Sequence, residues 1–443
     1  MGAAEFRDKR HNQRAIQMLA QKALRPTDSI PQGADAPADA KGTYRFLENK
    51  RVSAEPLWKS MHEETARALS DTSQVYVLYD TTALMFSNRP ATKGLGTVKG
   101  LKCEALLMHS GLAVRPDGHV LGLLHNAVWA RPPEEFGKTV ERRQLPFEEK
   151  ESAKWTRGVA EATAWRDQHS PATRLVHIMD REGDVWQVLR ELAASDDAMV
   201  IRCAQDRSVQ TEHKRIRPHM AAQPVLKRQR IDVPRKKDQP ARRASVDVRA
   251  AEVTVCAPKR VAPDETVRLC AVWVHEPSPP AGAEPLDWLL WTTLPVDTAK
   301  QAMAVVKAYK RRWRIEDFHL TLKSGCRIED SQLKTVGRIE TWLTFCSAVA
   351  VRLLQLTHWA RSDPDAPCTE VLSDLEWRLL WSHHHRRPVP PGRPPPTIRE
   401  AVLMLGRLGG HLGRKGDGLP GVRCLWKAWT RFQLLVDGYH INP

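Results

Sequence analysis

Tyr309, Arg312, Glu316 and Lys323 stand in one short run, YKRRWRIEDFHLTLK, at offsets 0, 3, 7 and 14. At about 100° per residue these positions fall within an arc of about 60° on one helix face. A carboxylate is thereby held among a phenol, a guanidinium and an ammonium, a strip that suits a metal-ligating acid beside donors for phosphate oxygens. The guanidinium offers a planar fork, the ammonium a mobile point charge and the phenol a neutral donor. The opposite stripe, Ile315, Phe318 and Leu322, is apolar and would dock the helix on a core. Upstream, Asp80 follows the apolar run VYVLY and Asp180 follows LVHIM. Phosphodiester cleavage without a covalent enzyme intermediate needs an activated water or hydroxyl and neutralised phosphate charge. Two Mg²⁺ ions about 4 Å apart supply both, and such hard cations take carboxylate oxygens. Asp80, Asp180 and Glu316 are suited to that task. The competing reading makes the aspartates strand caps and the helix strip a salt-bridged face around Glu316.

The elements that must position these acids belong to a chain of 443 residues, too long for a single ordinary core, so two or three domains are expected. With 42% hydrophobic and 27% charged residues the chain is globular. Lys and Arg number 68 against 52 Asp and Glu, a net charge of +16 that favours a polyanionic partner, nucleic acid rather than membrane. Eight scattered cysteines with no C-x-x-C pair read as reduced thiols and disfavour zinc. No apolar run reaches 18 residues, and the N-terminus, MGAAEFRDKRHNQR, is charged where a signal peptide would be apolar, so a soluble, cytoplasmic, nucleoid-associated protein is expected.

Residues 1–70 read as a polar helical module with Arg7, Lys9, Arg10, Arg14, Lys22 and Arg25, a candidate DNA grip. From residue 74 the pattern becomes strand (ending at Asp80), hairpin pair around Arg115-Pro116-Asp117-Gly118, helix, strand (ending at Asp180), helix, strand. That order matches a ribonuclease-H-like α/β core, a mixed sheet flanked by helices, over about 71–380. A β subdomain rich in Arg and Lys, Arg235, Lys236 and Lys237 among them, interrupts it at about 204–284. Residues 383–397 read as a Pro-rich linker, and 398–443 as a helical C-terminal module. In its last helix Leu425, Trp429, Phe432 and Val436 recur at helical spacing, as either intramolecular core or a self-association stripe.

The run Tyr309-x2-Arg312-x3-Glu316-x6-Lys323 resembles the Y-R-E-K signature of cut-and-paste DDE transposases of the bacterial insertion-sequence-four family, transposon-five type. Asp80-Thr81-Thr82, Asp180-Arg181-Glu182-x-Asp184, LGGHLGRKGDGLPGVRCLWKAWTRF near the end, and FRDKRHNQR with TYRFLENKRVSAE at the start resemble the same family. The resemblance implies that Asp80, Asp180 and Glu316 are a catalytic triad binding Mg²⁺, with Mn²⁺ able to substitute and two ions per site. It implies that Tyr309, Arg312 and Lys323 hold phosphates near the cut end, that Trp288 stacks on a flipped base, and that Arg202 and Arg207 contact DNA strands. The implied function is nicking at transposon ends, hairpin formation, hairpin opening and strand transfer. The implied partners are double-stranded DNA (terminal inverted repeats and target) and a second copy in a synaptic homodimer joined through the C-terminal module. The chain begins almost at F-x-D-K-R-x-N-x-R, where family members usually carry a further helix, and the tail after Tyr439 is short. A catalytically silent DNA-binding regulator and a metal-dependent nuclease are the alternative functions.

Overall fold

The structure, a computed structural model, describes residues 4–86, 91–98, 101–132, 144–233, 240–414 and 416–441. Arg235, Lys236 and Lys237 lie outside the described residues. Four helices open the chain: α1 (Lys9–Leu24), α2 (Ile30–Gly33), α3 (Pro37–Glu48) and α4 (Glu55–Arg67). Asp8 caps α1 by accepting the Arg10 N–H at 2.9 Å, and a proline stands in the first turn of each of the other three. Strands β1 (Gln74–Met85), β2 (Gly96–Val98), β3 (Leu101–Val114) and β4 (Val120–Trp129) follow. The expected hairpin is present: Arg115 N–H bonds to His119 O at 2.8 Å, and Gly118 takes the left-handed φ of 103° that the turn needs.

Next come α5 (Lys154–His169), β5 (Arg174–Met179), α6 (Trp186–Ala193), β6 (Ala198–Arg202), α7 (Ile216–Ala222), β7 (Lys227–Val233), β8 (Arg242–Cys256), β9 (Thr266–His275) and β10 (Asp287–Thr292). The C-terminal half is helical: α8 (Ala299–Lys310), α9 (Trp313–Leu320), α10 (Val336–Ser362), α11 (Asp374–His385), α12 (Ile398–Leu408) and α13 (Val422–Ile441). Capping boxes at Thr298, Ser373 and Thr397 start α8, α11 and α12.

The chain divides into two compact units. One comprises Leu69–Asp80 and Val140–Trp313. Its strands run in the order β1–β5–β6–β10–β9–β8–β7. The first three are parallel and the remaining pairings antiparallel. β5 and β6 are almost wholly apolar and buried, as strands covered on both faces must be. Helix α8 packs across β6, β8 and β9. The expected β insertion is thus an extension of the same antiparallel ladder.

The other unit comprises Met1–Ala68, Thr81–Thr139 and Arg314–Pro443. Here β3 pairs antiparallel with β2 and β4, and the 27-residue α10 is the central core helix against α1, α3, α4, β4, α12 and α13. Helix α10 is long and apolar enough to cross a membrane, but 78% of its most apolar stretch is buried in the protein, which marks a core helix. In α13, Leu425, Phe432 and Val436 are buried with Trp377, Trp381 and Ile398, and Trp429 packs against them, so that stripe is intramolecular core. The face of α13 left to solvent carries Leu434, 65% exposed.

Candidate active site

The parallel register of β1 with β5 sets the first two acids side by side. Leu78 lies opposite Ile178, and Asp80 and Asp180 each stand two residues further along. Adjacent strands are about 4.8 Å apart, so the two carboxylates emerge level at neighbouring positions. β5 ends at Met179 and Asp180 caps the following turn, its Oδ1 accepting the Glu182 N–H at 2.9 Å. β1 does not end at Asp80, as the sequence suggested, but continues to Met85. Burial raises the Asp180 pKa above the usual carboxylate range. The Glu182 N–H opposes that shift, Asp80 adds to it by like charge, and Arg312 draws it back. The electrostatics therefore place Asp80 and Arg312 within reach of Asp180.

Tyr309, at the end of α8, is 4% exposed and lies edge-on to Trp288 at a ring-centroid distance of 5.5 Å. Burial keeps it a phenol, while Arg312 and Arg202 pull the other way. The Arg312 guanidinium sits 5.8 Å from the ring of Trp313, itself 48% exposed. Arg202 donates from Nη2 to the Asp287 carbonyl at 3.0 Å, one residue before Trp288. Asp80, Asp180, Tyr309, Arg312, Trp288 and Arg202 thus all belong to one unit and form one acidic, basic and aromatic group. Arg207 differs. Its Nε donates to Asp184 Oδ1 at 2.7 Å and its Nη2 to the Asp184 carbonyl at 2.6 Å, and it is 7% exposed. In this conformation it ties down the loop after Asp180, and reaching a DNA strand would break a buried ion pair.

The Tyr309–Lys323 run is not the continuous helix that its spacing suggested. At the end of α8 the Arg311 and Arg312 N–H groups bond three residues back, to the Ala308 and Tyr309 carbonyls, both at 3.0 Å. A tight turn of this kind has about three residues per turn, so it stacks Arg312 over Tyr309. Helix α9 then carries Glu316, and residues Thr321–Gly325 widen into a π turn in which the Cys326 N–H bonds to Thr321 O, five residues back, at 2.8 Å. Lys323 lies in that turn, 3.9 Å from Glu329, whose Oε1 also accepts the Met85 N–H at 2.9 Å. Glu316 and Lys323 belong to the other unit.

Sequence reasoning missed a buried support behind Asp80. The hydroxyl of Tyr79 donates to Gly158 O at 3.1 Å and lies 3.0 Å from His177 Nδ1. The other nitrogen of His177 is 3.6 Å from Asp197. Asp197 in turn accepts from both terminal nitrogens of Arg166, at 2.8 and 3.1 Å, and from the Leu175 N–H at 3.0 Å. Burial alone would raise the Asp197 pKa, but His177, the Leu175 N–H and Arg166 together hold it below the usual range. These residues lie far apart in sequence and form no motif. The only sequence-level signal is a histidine and an aspartate beside otherwise apolar strands.

Three family models match the chain. One described as transposase DNA-binding covers residues 1–52, one described as a transposase DDE domain covers 166–352, and the transposase Tn5 dimerisation domain covers 348–442. The chain belongs to the DDE transposases of the Tn5 type. A DDE domain implies a divalent-metal cofactor, and the residues fit one. The level Asp80 and Asp180 offer hard oxygen donors, and the like charge of Asp80, which adds to the rise that burial gives Asp180, is what a cation would relieve. Among the described residues no cluster of three or more His, Cys, Asp or Glu side chains is placed to hold a metal ion. In the DNA-binding region of this transposase, Lys22 is buried, donating to the Asp28 and Cys326 carbonyls at 2.9 and 3.1 Å. Arg25 is paired with Asp35 and Asp437. The basic face expected there is therefore narrower, with Arg7, Lys9 and Arg10 exposed. The dimerisation region contains the α11–α13 core.

Proposed function

We propose that this transposase cuts transposon ends and joins them to target DNA at a site of Asp80, Asp180 and Glu316. The observation that carries the reading is the level placement of Asp80 and Asp180 on adjacent parallel strands, with Asp180 electrostatically coupled to both Asp80 and Arg312. The strand order β2–β3–β1 in one unit and β1–β5–β6 in the other supports a ribonuclease-H-like core, whose central strands carry such acids. When bound, two Mg²⁺ ions held by Asp80, Asp180 and Glu316 would polarise the scissile phosphate and activate the attacking oxygen.

The chain's own residues do the rest. Arg312 presents a planar donor fork to non-bridging phosphate oxygens, Tyr309 donates from a phenol that burial keeps protonated, and Lys323 adds a positive charge. Trp288, braced by Tyr309, offers a ring on which a base rotated out of the duplex stacks. A flipped base lets the strand bend sharply, which suits attack by the freed 3′-OH on the opposite strand to form a hairpin. Nicking, hairpin formation, hairpin opening and strand transfer are each in-line displacements at phosphorus, so one site serves all four. The DNA partners are the terminal inverted repeats and the target, and a homodimer synapses the two ends.

The test is cleavage of a labelled duplex ending in the host element's terminal repeat, with Mg²⁺ or Mn²⁺ against EDTA. A metal-dependent nick followed by a hairpin product is expected. Glu316→Ala abolishes both while leaving DNA affinity within a few-fold. Retained cleavage in that variant would overturn the site, and cutting without preference for a terminal repeat would make the protein a nuclease.

A further inference from the structure

The segment His383–Thr397, HHHRRPVPPGRPPPT, carries Arg386, Arg387 and Arg393, six prolines and no acidic residue. It is held at both ends and is not a free linker. Arg387 N–H bonds to Ser382 O at 3.3 Å, and Pro396 O accepts the Cys368 N–H at 2.9 Å. Thr397 also bridges to Pro367. Between these anchors the chain reverses at Pro390–Arg393, where Gly392 takes a φ of 72° and Arg393 N–H bonds to Pro390 O at 3.2 Å. Two guanidiniums then lie over one ring: Arg393 is 4.7 Å and Arg387 5.6 Å from the centroid of Trp381, which is almost fully buried.

All three arginines are exposed, and among the described residues none of them has a carboxylate within ion-pairing distance. Two exposed arginines elsewhere, Arg378 and Arg243, are by contrast paired with Asp374 and Asp232. The surroundings are positive as well, since the His384 pKa is lowered first by burial and then by Arg407, His385 and His383.

We propose that this arginine-proline tongue is a DNA-backbone contact surface within the dimerisation region, separate from the DNA-binding region at residues 1–52 and from the catalytic acids. Stacking engages the face of a guanidinium and leaves its in-plane N–H donors for phosphate oxygens. The prolines and the Trp381 stack order the arginines in advance, which lowers the entropy lost on binding. The segment holds no Asn or Gln for reading base edges, so the contact is with phosphates of any sequence. An acidic protein could meet the same charges, but this chain is a DNA-binding transposase with a net charge of +16, which favours the polyanion.

The test uses the full chain and a duplex of about 25 bp lacking any terminal repeat, in EDTA so that catalysis plays no part. Anisotropy titrations between about 50 and 250 mM KCl give the slope of log K against log salt. At about 0.9 per phosphate, Arg386→Gln/Arg387→Gln/Arg393→Gln lowers the slope by about 2–3. It also weakens binding at least about tenfold at the lowest salt. The corresponding triple lysine variant keeps most of the slope. Arg386→Gln alone, which stacks on no ring, lowers it by about 1 and guards against loss of the Trp381 stack. An unchanged slope in the folded triple or single variant overturns the proposal. So does a change in self-association, read by sedimentation, with the slope intact, because that assigns the tongue to a protein partner.

Discussion

Arg207 was expected at a DNA strand, yet its side chain is 5% exposed and that of Asp184 is fully buried. If the pair ties down the loop after Asp180, Arg207→Ala leaves a buried carboxylate with only the Ala204 N–H, which meets Oδ2 at 2.8 Å. Removing one partner of a buried pair costs about 3–5 kcal/mol. In a unit of roughly 150–250 residues that corresponds to about 6–20 °C in Tm, at about 2–4 °C per kcal/mol. Arg207→Met with Asp184→Asn removes both charges and keeps an acceptor for Ala204. It should therefore cost less than Arg207→Ala alone, by about 1–3 kcal/mol. The assay is urea unfolding followed by tryptophan fluorescence, with DNA affinity measured in parallel. The reasoning is refuted if Arg207→Ala costs under about 0.5 kcal/mol and instead weakens DNA binding, the behaviour of an exposed phosphate contact.

Two further outcomes follow from the same unit. Asp197→Asn should cost about 2–4 kcal/mol at pH 7, because it strips the charge opposite buried Arg166. The folded Asp197 pKa is held below the unfolded value of about 3.9, so its stabilisation is complete above that value and is lost as pH falls through the lowered one. The gap between wild type and variant in urea midpoints should therefore close below about pH 4, and a gap independent of pH would exclude this role. Asp180 has the opposite sign: its raised folded pKa means stability falls as pH rises from the unfolded value through the folded one. Asp180→Asn should accordingly abolish cleavage yet stabilise the metal-free protein by on the order of 1 kcal/mol at pH 7. A lower Tm in EDTA would show that the carboxylate is not electrostatically burdened.

What was legible in the sequence is what depends on local pattern. The hairpin strands β3 and β4 with their turn, the apolar runs of β5 and β6, the helix α6 and the helical spacing of α13 lie where the residues indicated, whereas β1 begins there but runs on past Asp80 to Met85. Asp80 and Asp180 were legible as acids at the ends of apolar runs. That they stand level depends on the β1–β5 register, which no local pattern specifies. The Tyr79–His177–Asp197–Arg166 chain and the Arg207–Asp184 pair were illegible for a related reason. A buried charge is tolerable only through partners that the fold brings from afar, so the sequence shows a basic residue without showing whether it faces solvent or a carboxylate. Lys22 and Arg25 make the same point in the N-terminal module, where they, and Arg14 paired with Asp39, serve contacts within their own unit.

The Tyr309–Lys323 run shows where pattern and geometry part company. Read at a uniform pitch of about 100° per residue, its four polar residues share one face, but the backbone departs from that pitch twice. It tightens where Arg312 follows Tyr309 and widens into the π turn at Lys323. Tightening stacks the guanidinium over the phenol more nearly in line than the offset of about 60° that a regular α-turn would leave. Widening leaves a carbonyl-to-amide pattern that no α-helix shares, a feature common where helices carry function. The apolar stripe of Ile315, Phe318 and Leu322 stays buried through both changes. The core of its own unit therefore fixes the Ile315, Phe318 and Leu322 side of the segment after Trp313, while the tight turn at Tyr309–Arg312 belongs to the other unit. Repairing either turn toward a regular helix would displace Tyr309 or Lys323 from the phosphate-facing roles proposed for them while leaving the buried stripe, and hence folding, largely in place.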